Sequence, residues 1–209
     1  MTTLLLTGFG PFPGAPFNPT MPLVRRLARL RRPGLVDVHI VGHVFPTSYA
    51  AVERDLPALI ARHKPDTLLM FGLAGRTKYL RIETRAHNAL ALLPDVKGAI
   101  VPLPKIAPGG PRALTMPAPV QPLLSAARTA RVPVRLSRDA GRYLCNYLCW
   151  RAAETTAARS GPRLAAFVHV PPVSRVPRPR RRDRPRVSQN DLTRAGTGLL
   201  MALAAATRR

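Results

Sequence analysis

Short apolar runs and amphipathic helical segments alternate along most of this 209-residue chain, and this alternation restricts its fold most strongly. Strands are predicted at the apolar or β-branched runs 4–6, 36–45, 67–71, 132–136 and 164–170, with a further strand near 80–83. Helices are predicted at the segments with leucines at helical spacing, about 19–32, 47–62, 119–129, 143–158 and after Ser188. Regular alternation predicts an α/β fold, a three-layer α/β/α sandwich with a mostly parallel central sheet.

The length predicts one domain spanning 1–209, large enough to bury a full hydrophobic core. One segment differs from the rest, because Arg175 to Arg186 contains seven arginines. A single helix follows it, so we interpret it as a mobile, solvated loop of the domain. In an α/β fold, functional side chains gather at the carboxyl ends of the strands.

The formal net charge is +23, which raises binding of nucleic acid or of an acidic partner as an alternative function. Arginine greatly outnumbers lysine, however, a bias that GC-rich coding also produces. The arginine-rich segment contains no aromatic side chain on which a base could stack. We therefore do not expect nucleic acid as the main partner.

The chain has two cysteines, Cys145 and Cys149, which is too few for a secreted disulfide scaffold. We expect free thiols, a cytoplasmic location and no structural zinc site. No apolar run is long enough to span a membrane, and the N-terminus is predicted to be a buried strand and not a signal peptide.

Cys145 is the candidate nucleophile, since it is expected in the first turn of a helix. The positive end of a helix and its free N–H groups stabilise a thiolate. Gly141, just before, permits a tight strand-to-helix turn that would expose the sulfur. Alternatively, Cys145 is a small buried apolar residue; for Cys149, one turn further on, packing is the preferred interpretation.

A thiolate nucleophile needs a base, and His169 is the candidate because it ends an otherwise apolar strand. Glu83 would then orient the imidazole and stabilise its protonated form. Each residue has a structural alternative: His169 as a hydrogen-bonded core histidine, and Glu83 as half of a surface ion pair with Arg81 or Arg85.

Together these segments resemble the pyroglutamyl peptidase I family of cysteine peptidases, in the same order and over nearly the whole chain. The segments that carry the resemblance are Thr7 to Phe12 with Asn18-Pro19-Thr20, Gly72 to Arg76 with Glu83, Ala86 and Asn88, Val132 to Asn146, and Phe167 to Pro171.

The resemblance implies an exopeptidase that removes an N-terminal pyroglutamate from a peptide, needs no cofactor or metal, and forms a homo-oligomer. It assigns Cys145 as nucleophile, His169 as base and Glu83 as orienting acid. It also implies a pocket for the uncharged lactam ring, built from Phe9, Phe12, Asn18, Thr47, Leu73, Leu93, Tyr143 and Leu144.

Leu73 and Leu92 depart from the family pattern, and so does Thr84-Arg85, where bacterial members often carry basic and hydrophobic residues after the glutamate. Leu73 replaces a glutamine common in bacterial members, and Leu92 replaces an arginine that precedes the hydrophobic-Pro-Asp step. The first change removes one ring-recognition hydrogen bond, and the second removes a candidate oxyanion donor. A related cysteine amidohydrolase acting on another N-acyl or cyclic amide therefore stays open as an alternative, as does a non-enzymatic basic binding protein.

Overall fold

The computed structural model describes residues 1–173 and 187–208, so the arginine-rich segment 175–186 lies outside the described residues. The elements, in chain order, are β1 (Thr2–Phe9), α1 (Thr20–Ala28), a short 3-10 helix (Pro33–Leu35), β2 (Val38–Phe45), α2 (Tyr49–His63), β3 (Thr67–Leu73), β4 (Leu80–Glu83), β5 (Arg85–His87), β6 (Ala113–Thr115), α3 (Val120–Thr129), β7 (Val134–Ser137), α4 (Leu144–Ala157), β8 (Leu164–Val170) and α5 (Gln189–Thr207). Every helix and strand predicted from the sequence is present, with shifted ends.

The central sheet has six strands in the order β2-β1-β3-β8-β4-β7. Strands β2, β1, β3 and β8 pair in parallel, and β4 also pairs in parallel with β7. Strand β4, however, runs antiparallel to β8. The sheet is thus mostly parallel, as predicted, with one reversal of direction between β8 and β4.

Helices cover both faces of the sheet, which confirms the three-layer α/β/α sandwich. Successive side chains of a strand point to opposite faces, and β1 follows this rule. Leu4 and Leu6 pack in one apolar cluster with α1, α3 and α5. Leu5, between them, packs in the other cluster with α2 and α4. Two separate cores therefore sandwich the sheet.

Of the two helix caps predicted from the sequence, one is wrong and one is confirmed. Thr47 is not the N-cap of α2, since the cap position is Ser48, and Thr47 instead donates a hydrogen bond to the carbonyl of Gly10. Ser188 does cap α5, through a reciprocal pair of bonds with Asp191. The small antiparallel sheet formed by β5 and β6 was not predicted.

Across the described residues, no helix combines the length and apolar character that crossing a membrane requires.

Candidate active site

Three neighbouring strands place a row of residues side by side beneath the start of α4. In the register of the sheet, Gly72 of β3 pairs with His169 of β8, and His169 pairs with Arg81 of β4. Glu83 lies two residues beyond Arg81, hence on the same face of β4. The strand pairing thus brings Glu83 and His169, which are 86 residues apart, into contact.

The segment between β7 and α4 forms the tight turn that the sequence predicts. The side chain of Asp139 accepts a hydrogen bond from the N–H of Gly141 (2.9 Å), and its own N–H donates to Ser137 Oγ (3.2 Å). Gly141 has φ +85°, a left-handed conformation that favours glycine. Tyr143 is then extended, and α4 begins at Leu144. This turn places Cys145 at the second position of the helix.

The first turn of α4 leaves its backbone N–H groups available. The cap residue, Tyr143, makes no side-chain capping bond, and the first turn contains no acidic residue. The first N–H groups of an α-helix have no partner within the helix, and they carry the positive end of its dipole. Cys145, which is partly exposed, is therefore the second residue of a helix whose first N–H groups carry no side-chain cap.

Glu83 and His169 form a buried hydrogen bond, with Nδ1 of the imidazole 2.7 Å from Oε1 of the carboxylate. Glu83 is wholly buried and His169 is 3% exposed. An ionised carboxylate can only accept, so Nδ1 carries the hydrogen and Nε2 is left for Cys145. The carboxylate thus fixes both the ring orientation and the tautomer that a general base requires.

The sulfur of Cys145 lies against the same row of residues, since a Cβ on Gly72, the strand partner of His169, would be 2.7 Å from it. Burial alone lowers the pKa of His169, but the attractions of Cys145 and Glu83 outweigh it and raise the pKa to about 9. The protonated imidazole is therefore favoured next to a thiolate, which is the arrangement of a cysteine nucleophile and its base.

Arg81 is a further member of the site, although the sequence indicates it only as a surface ion-pair partner of Glu83. Its guanidinium lies 3.0 Å from Glu83 Oε1, 3.2 Å from His169 Nδ1 and 3.1 Å from the carbonyl of Asp139. The ion pair is real, but Glu83 is buried, so the surface interpretation of that residue is wrong. Arg85 is exposed.

Cys149 has no exposed surface and packs with the second core cluster, as expected for a packing residue. Burial raises the pKa of its thiol well above the ordinary value, and the charge of Cys145 raises it further. Both cysteines are free thiols. Cys149 therefore stays a neutral thiol over the range in which Cys145 would react.

The segment after β1 brings together several residues of the predicted pocket. Phe9 is buried within the cluster that also contains Leu144, Tyr143 and Cys145, while Phe12 is partly exposed. Thr47 is tied to this segment by its bond to Gly10, 3.2 Å long.

Asn18 supports the same segment from behind. It is 1% exposed, and its amide bonds to the carbonyl of Gly10 and to the N–H and hydroxyl of Thr20. Any part it plays in a pocket is therefore indirect, through the loop that it holds.

The segment that contains Leu92 and Leu93 is hydrogen-bonded to the start of α4. Ala91 donates its N–H to the carbonyl of Arg142 (2.7 Å), and the hydroxyl of Tyr143 donates to the carbonyl of Pro94 (2.9 Å). These bonds bracket Leu92 and Leu93, which are 66% and 53% exposed. Leu73, partly exposed, directly follows Gly72.

Three positions around the site were not identified as functional from the sequence. A Cβ on Gly72 would lie only 2.7 Å from the sulfur of Cys145, so this glycine lets the helix approach the sheet. Asn146 bonds the backbone of His87 and Ala89. Asp95 accepts the first N–H of α2 and two N–H groups of its own loop. None of these three has a local signal in the sequence. Arg81 does have one, because it lies two residues before Glu83 and residues at that spacing share one face of a strand.

In the described part of the chain, no group of three histidine, cysteine or acidic side chains is placed to hold a metal ion.

Comparison with known proteins relates the chain to one family. The model of the pyroglutamyl peptidase family matches residues 2–207. The chain is 31% identical to the pyrrolidone-carboxylate peptidase of Pyrococcus furiosus over 80% of each protein. It is 35% identical to that of Clavibacter michiganensis, over 82% of this chain and 79% of the relative.

Solved structures agree at the level of the fold. The pyrrolidone carboxyl peptidase of Fervidobacterium islandicum superposes with a TM-score of 0.85 at 26% identity, covering 96% of this chain and 97% of the other. A mutant pyrrolidone carboxyl peptidase from P. furiosus gives 0.86 at 25% identity, covering 98% and 99%.

Proposed function

The chain belongs to the pyroglutamyl peptidase family, and from that premise we propose that Cys145, His169 and Glu83 cleave the amide bond after an N-terminal pyroglutamate. The chain is an enzyme of the pyroglutamyl-peptidase I type, a cysteine peptidase that acts on a peptide. One observation carries the assignment of the three residues: the buried Glu83–His169 hydrogen bond lies beside Gly72, the strand position against which the sulfur of Cys145 rests.

In the first half of the reaction, the sulfur of Cys145 attacks the carbonyl carbon of the pyroglutamyl residue. The carbon becomes tetrahedral, and its oxygen takes up the negative charge of the thiolate. His169 then donates the proton on Nε2 to the nitrogen of the leaving amine. The C–N bond breaks, the peptide departs with a new N-terminus, and pyroglutamate remains bound to Cys145 as a thioester.

In the second half, His169 is neutral and accepts a proton from a water molecule through Nε2. The resulting hydroxide attacks the thioester carbonyl, the C–S bond breaks, and pyroglutamate leaves while Cys145 returns as a thiolate. Glu83 keeps Nδ1 protonated throughout, so the same nitrogen faces the reaction in both halves.

The developing oxyanion needs donors, and the start of α4 can supply them. The N–H groups of the first turn, at 144–146, are not occupied by a side-chain cap within the described chain. Such preorganised donors favour the charged intermediate over the neutral carbonyl, which is how they accelerate the reaction. They are the candidate oxyanion site here, since Leu92 provides no donor.

The pocket that we propose for the lactam ring is lined by Phe9, Phe12, Thr47, Tyr143 and Leu144, with Leu73 and Leu93 at its rim and Asn18 behind it. An apolar, aromatic slot suits a small uncharged ring, because it removes apolar surface from water without stranding a charge. The assignment also includes a reducing, cytoplasmic setting, which the free thiols favour, and a homo-oligomer.

The test is release of 7-amino-4-methylcoumarin from its pyroglutamyl amide by the wild type and two matched variants. Cys145→Ser should lower kcat at least about a thousandfold, as loss of a nucleophile does. Cys149→Ala, which alters the other cysteine on the same helix, should retain turnover and its inactivation by iodoacetamide.

Turnover that survives in Cys145→Ser would overturn the assignment of the nucleophile. Turnover of acetyl or prolyl amides without turnover of the pyroglutamyl amide would favour the alternative N-acyl substrate. The replacements at Leu73 and Leu92 make that comparison worth including.

A further inference from the structure

The guanidinium of Arg81 occupies the space beside the buried carboxylate of Glu83. Both its Nε and its Nη2 lie 3.0 Å from Oε1 of Glu83, the same oxygen that accepts from His169. The other carboxylate oxygen, Oε2, is buried and has no hydrogen-bond partner among the described residues. All the polar contacts of Glu83 are thus made by one oxygen, shared between an arginine and a histidine.

Charge balance explains what the arginine does there. A buried carboxylate is costly unless it is paired. In the neutral histidine state, His169 cannot supply that pairing charge. Arg81 can, because a guanidinium stays charged at every relevant pH. Arg81 therefore keeps a cation beside the carboxylate of Glu83 in both protonation states of His169.

The same cation also acts on His169. It lies 3.2 Å from His169 Nδ1, so it opposes the positive charge of a protonated imidazole. His169 and Cys145 interact, so the two lose their protons as a coupled pair. The charge of Arg81 therefore makes loss of a proton from that pair easier.

We propose that Arg81 is a positioning residue of the triad, which pairs with Glu83, holds it aligned with His169 and, through its charge, sets the pH range of turnover. This inference rests on the proposed function, since it concerns the same three residues. Its contact with the carbonyl of Asp139 (3.1 Å) further ties β4 to the turn that presents Cys145.

The other groups that face His169 do not supply this charge. From α4 comes Cys145, which acts on His169, while the buried thiol of Cys149 feels the charge of Glu83. From β3 comes Gly72, which has no side chain. The carboxylate of Asp139 is 65% exposed and pairs with Arg142. Within 1–173 and 187–208, Arg81 is the one arginine or lysine in polar contact with the side chain of Glu83 or His169.

The test compares Arg81→Met, which removes the charge, with Arg81→Lys, which keeps it, and with Arg85→Met as a control. Arg85 is exposed on β5, which belongs to the separate small sheet. Its variant therefore matches the loss of net charge without touching the site. The measurements are kcat/KM for the pyroglutamyl amide from pH 5 to 10 and the rate of Cys145 alkylation by iodoacetamide over the same range.

Arg81→Met should lower kcat/KM at neutral pH about tenfold or more and move both limbs of the profile to higher pH by about one unit, the shift typical of a charge at this distance. The alkylation midpoint should move the same way. Arg81→Lys and Arg85→Met should leave the midpoint in place.

An arginine that only ties two segments together would lower activity and leave the limbs where they are, and that result would overturn the proposal. If Arg81→Met fails to fold, Arg81→Lys decides alone, because a displaced alkylation midpoint with the charge retained would refute the electrostatic role. Failure of the proposed function is separate, since the wild type would then not release the fluorophore at all.

Discussion

Replacing Gly72 by alanine should damage the active site although no catalytic atom is changed. A Cβ at this position would lie 2.7 Å from Cys145 Sγ and 2.7 Å from Cζ of Phe167. Ordinary contact begins at 3.4 Å, so the difference, 3.4 minus 2.7, means that the sulfur or the ring must move by about 0.7 Å. The backbone of Gly72 is not in the left-handed region, so the effect is purely steric.

The displacement has two measurable consequences. Overpacking a core costs about 1–3 kcal/mol, which for a chain of this size lowers Tm by roughly 2–12 °C, taking about 2–4 °C per kcal/mol. A misplacement of nearly 1 Å at a reacting atom costs on the order of a hundredfold in rate. Phe167 cannot give way easily, since it is wholly buried and its ring lies edge-on to that of His169.

The assay is fluorophore release together with thermal unfolding, and Gly75→Ala is the matched control. Gly75 lies three residues further on, and a Cβ there would meet nothing within 4 Å. The control should keep both kcat and Tm. In a Cys145→Ala background, the Tm cost of Gly72→Ala should shrink, because the sulfur is no longer in the way.

Wild-type kcat and Tm in Gly72→Ala would refute this reasoning, since they would mean that the sulfur does not rest against β3. An undiminished Tm cost in the Cys145→Ala background would place the conflict at Phe167 alone.

Three further predictions concern the same region. The pKa of His169 is raised from an ordinary 6.5 to about 9 although burial opposes the charge, because Cys145 and Glu83 favour it. Protonated His169 therefore stabilises the folded state fully below about pH 6.5, and this contribution is lost as pH rises through about 9. The free energy of unfolding in urea should decline over that window in the wild type and not in His169→Asn. Leu92→Arg should raise kcat/KM for the pyroglutamyl amide about tenfold or more, since one oxyanion donor is worth up to about 3 kcal/mol. An unchanged kcat/KM would mean that an arginine at this position is dispensable here. Asp95→Ala should cost about 1–3 kcal/mol in chemical denaturation by leaving buried N–H groups unpaired, and should raise KM by loosening the loop; an unchanged KM would separate that loop from substrate binding.

Much of the fold could be predicted because its signals are local. An apolar run such as Leu4 to Leu6, or leucines at helical spacing as in α5, identifies an element within a few residues. The small sheet of β5 and β6 could not be predicted in this way, since each strand has three residues and the two are separated by 25 residues, 88–112. The reversed direction of β4 is likewise a property of pairing between distant segments.

The site was predictable only in part, for the same reason. Cys145 carries a local signal, because a glycine-containing turn leads into a helix that begins beside it. Burial of Glu83 has no such signal, since it depends on His169 and Arg81 coming together from separate strands. A carboxylate with two arginines nearby in sequence resembles a surface pair until the sheet is assembled.

The reversal of direction between β8 and β4 has a consequence for folding. A shift of β4 by one residue would turn Glu83 and Arg81 towards the opposite helical layer, because neighbouring side chains of a strand alternate. Regain of turnover in a refolding experiment would therefore report one specific event, the correct alignment of the segment around residue 83 with that around residue 169. Spectroscopic probes of helix content would recover earlier than the first cleaved peptide, since distant strand pairing is slow.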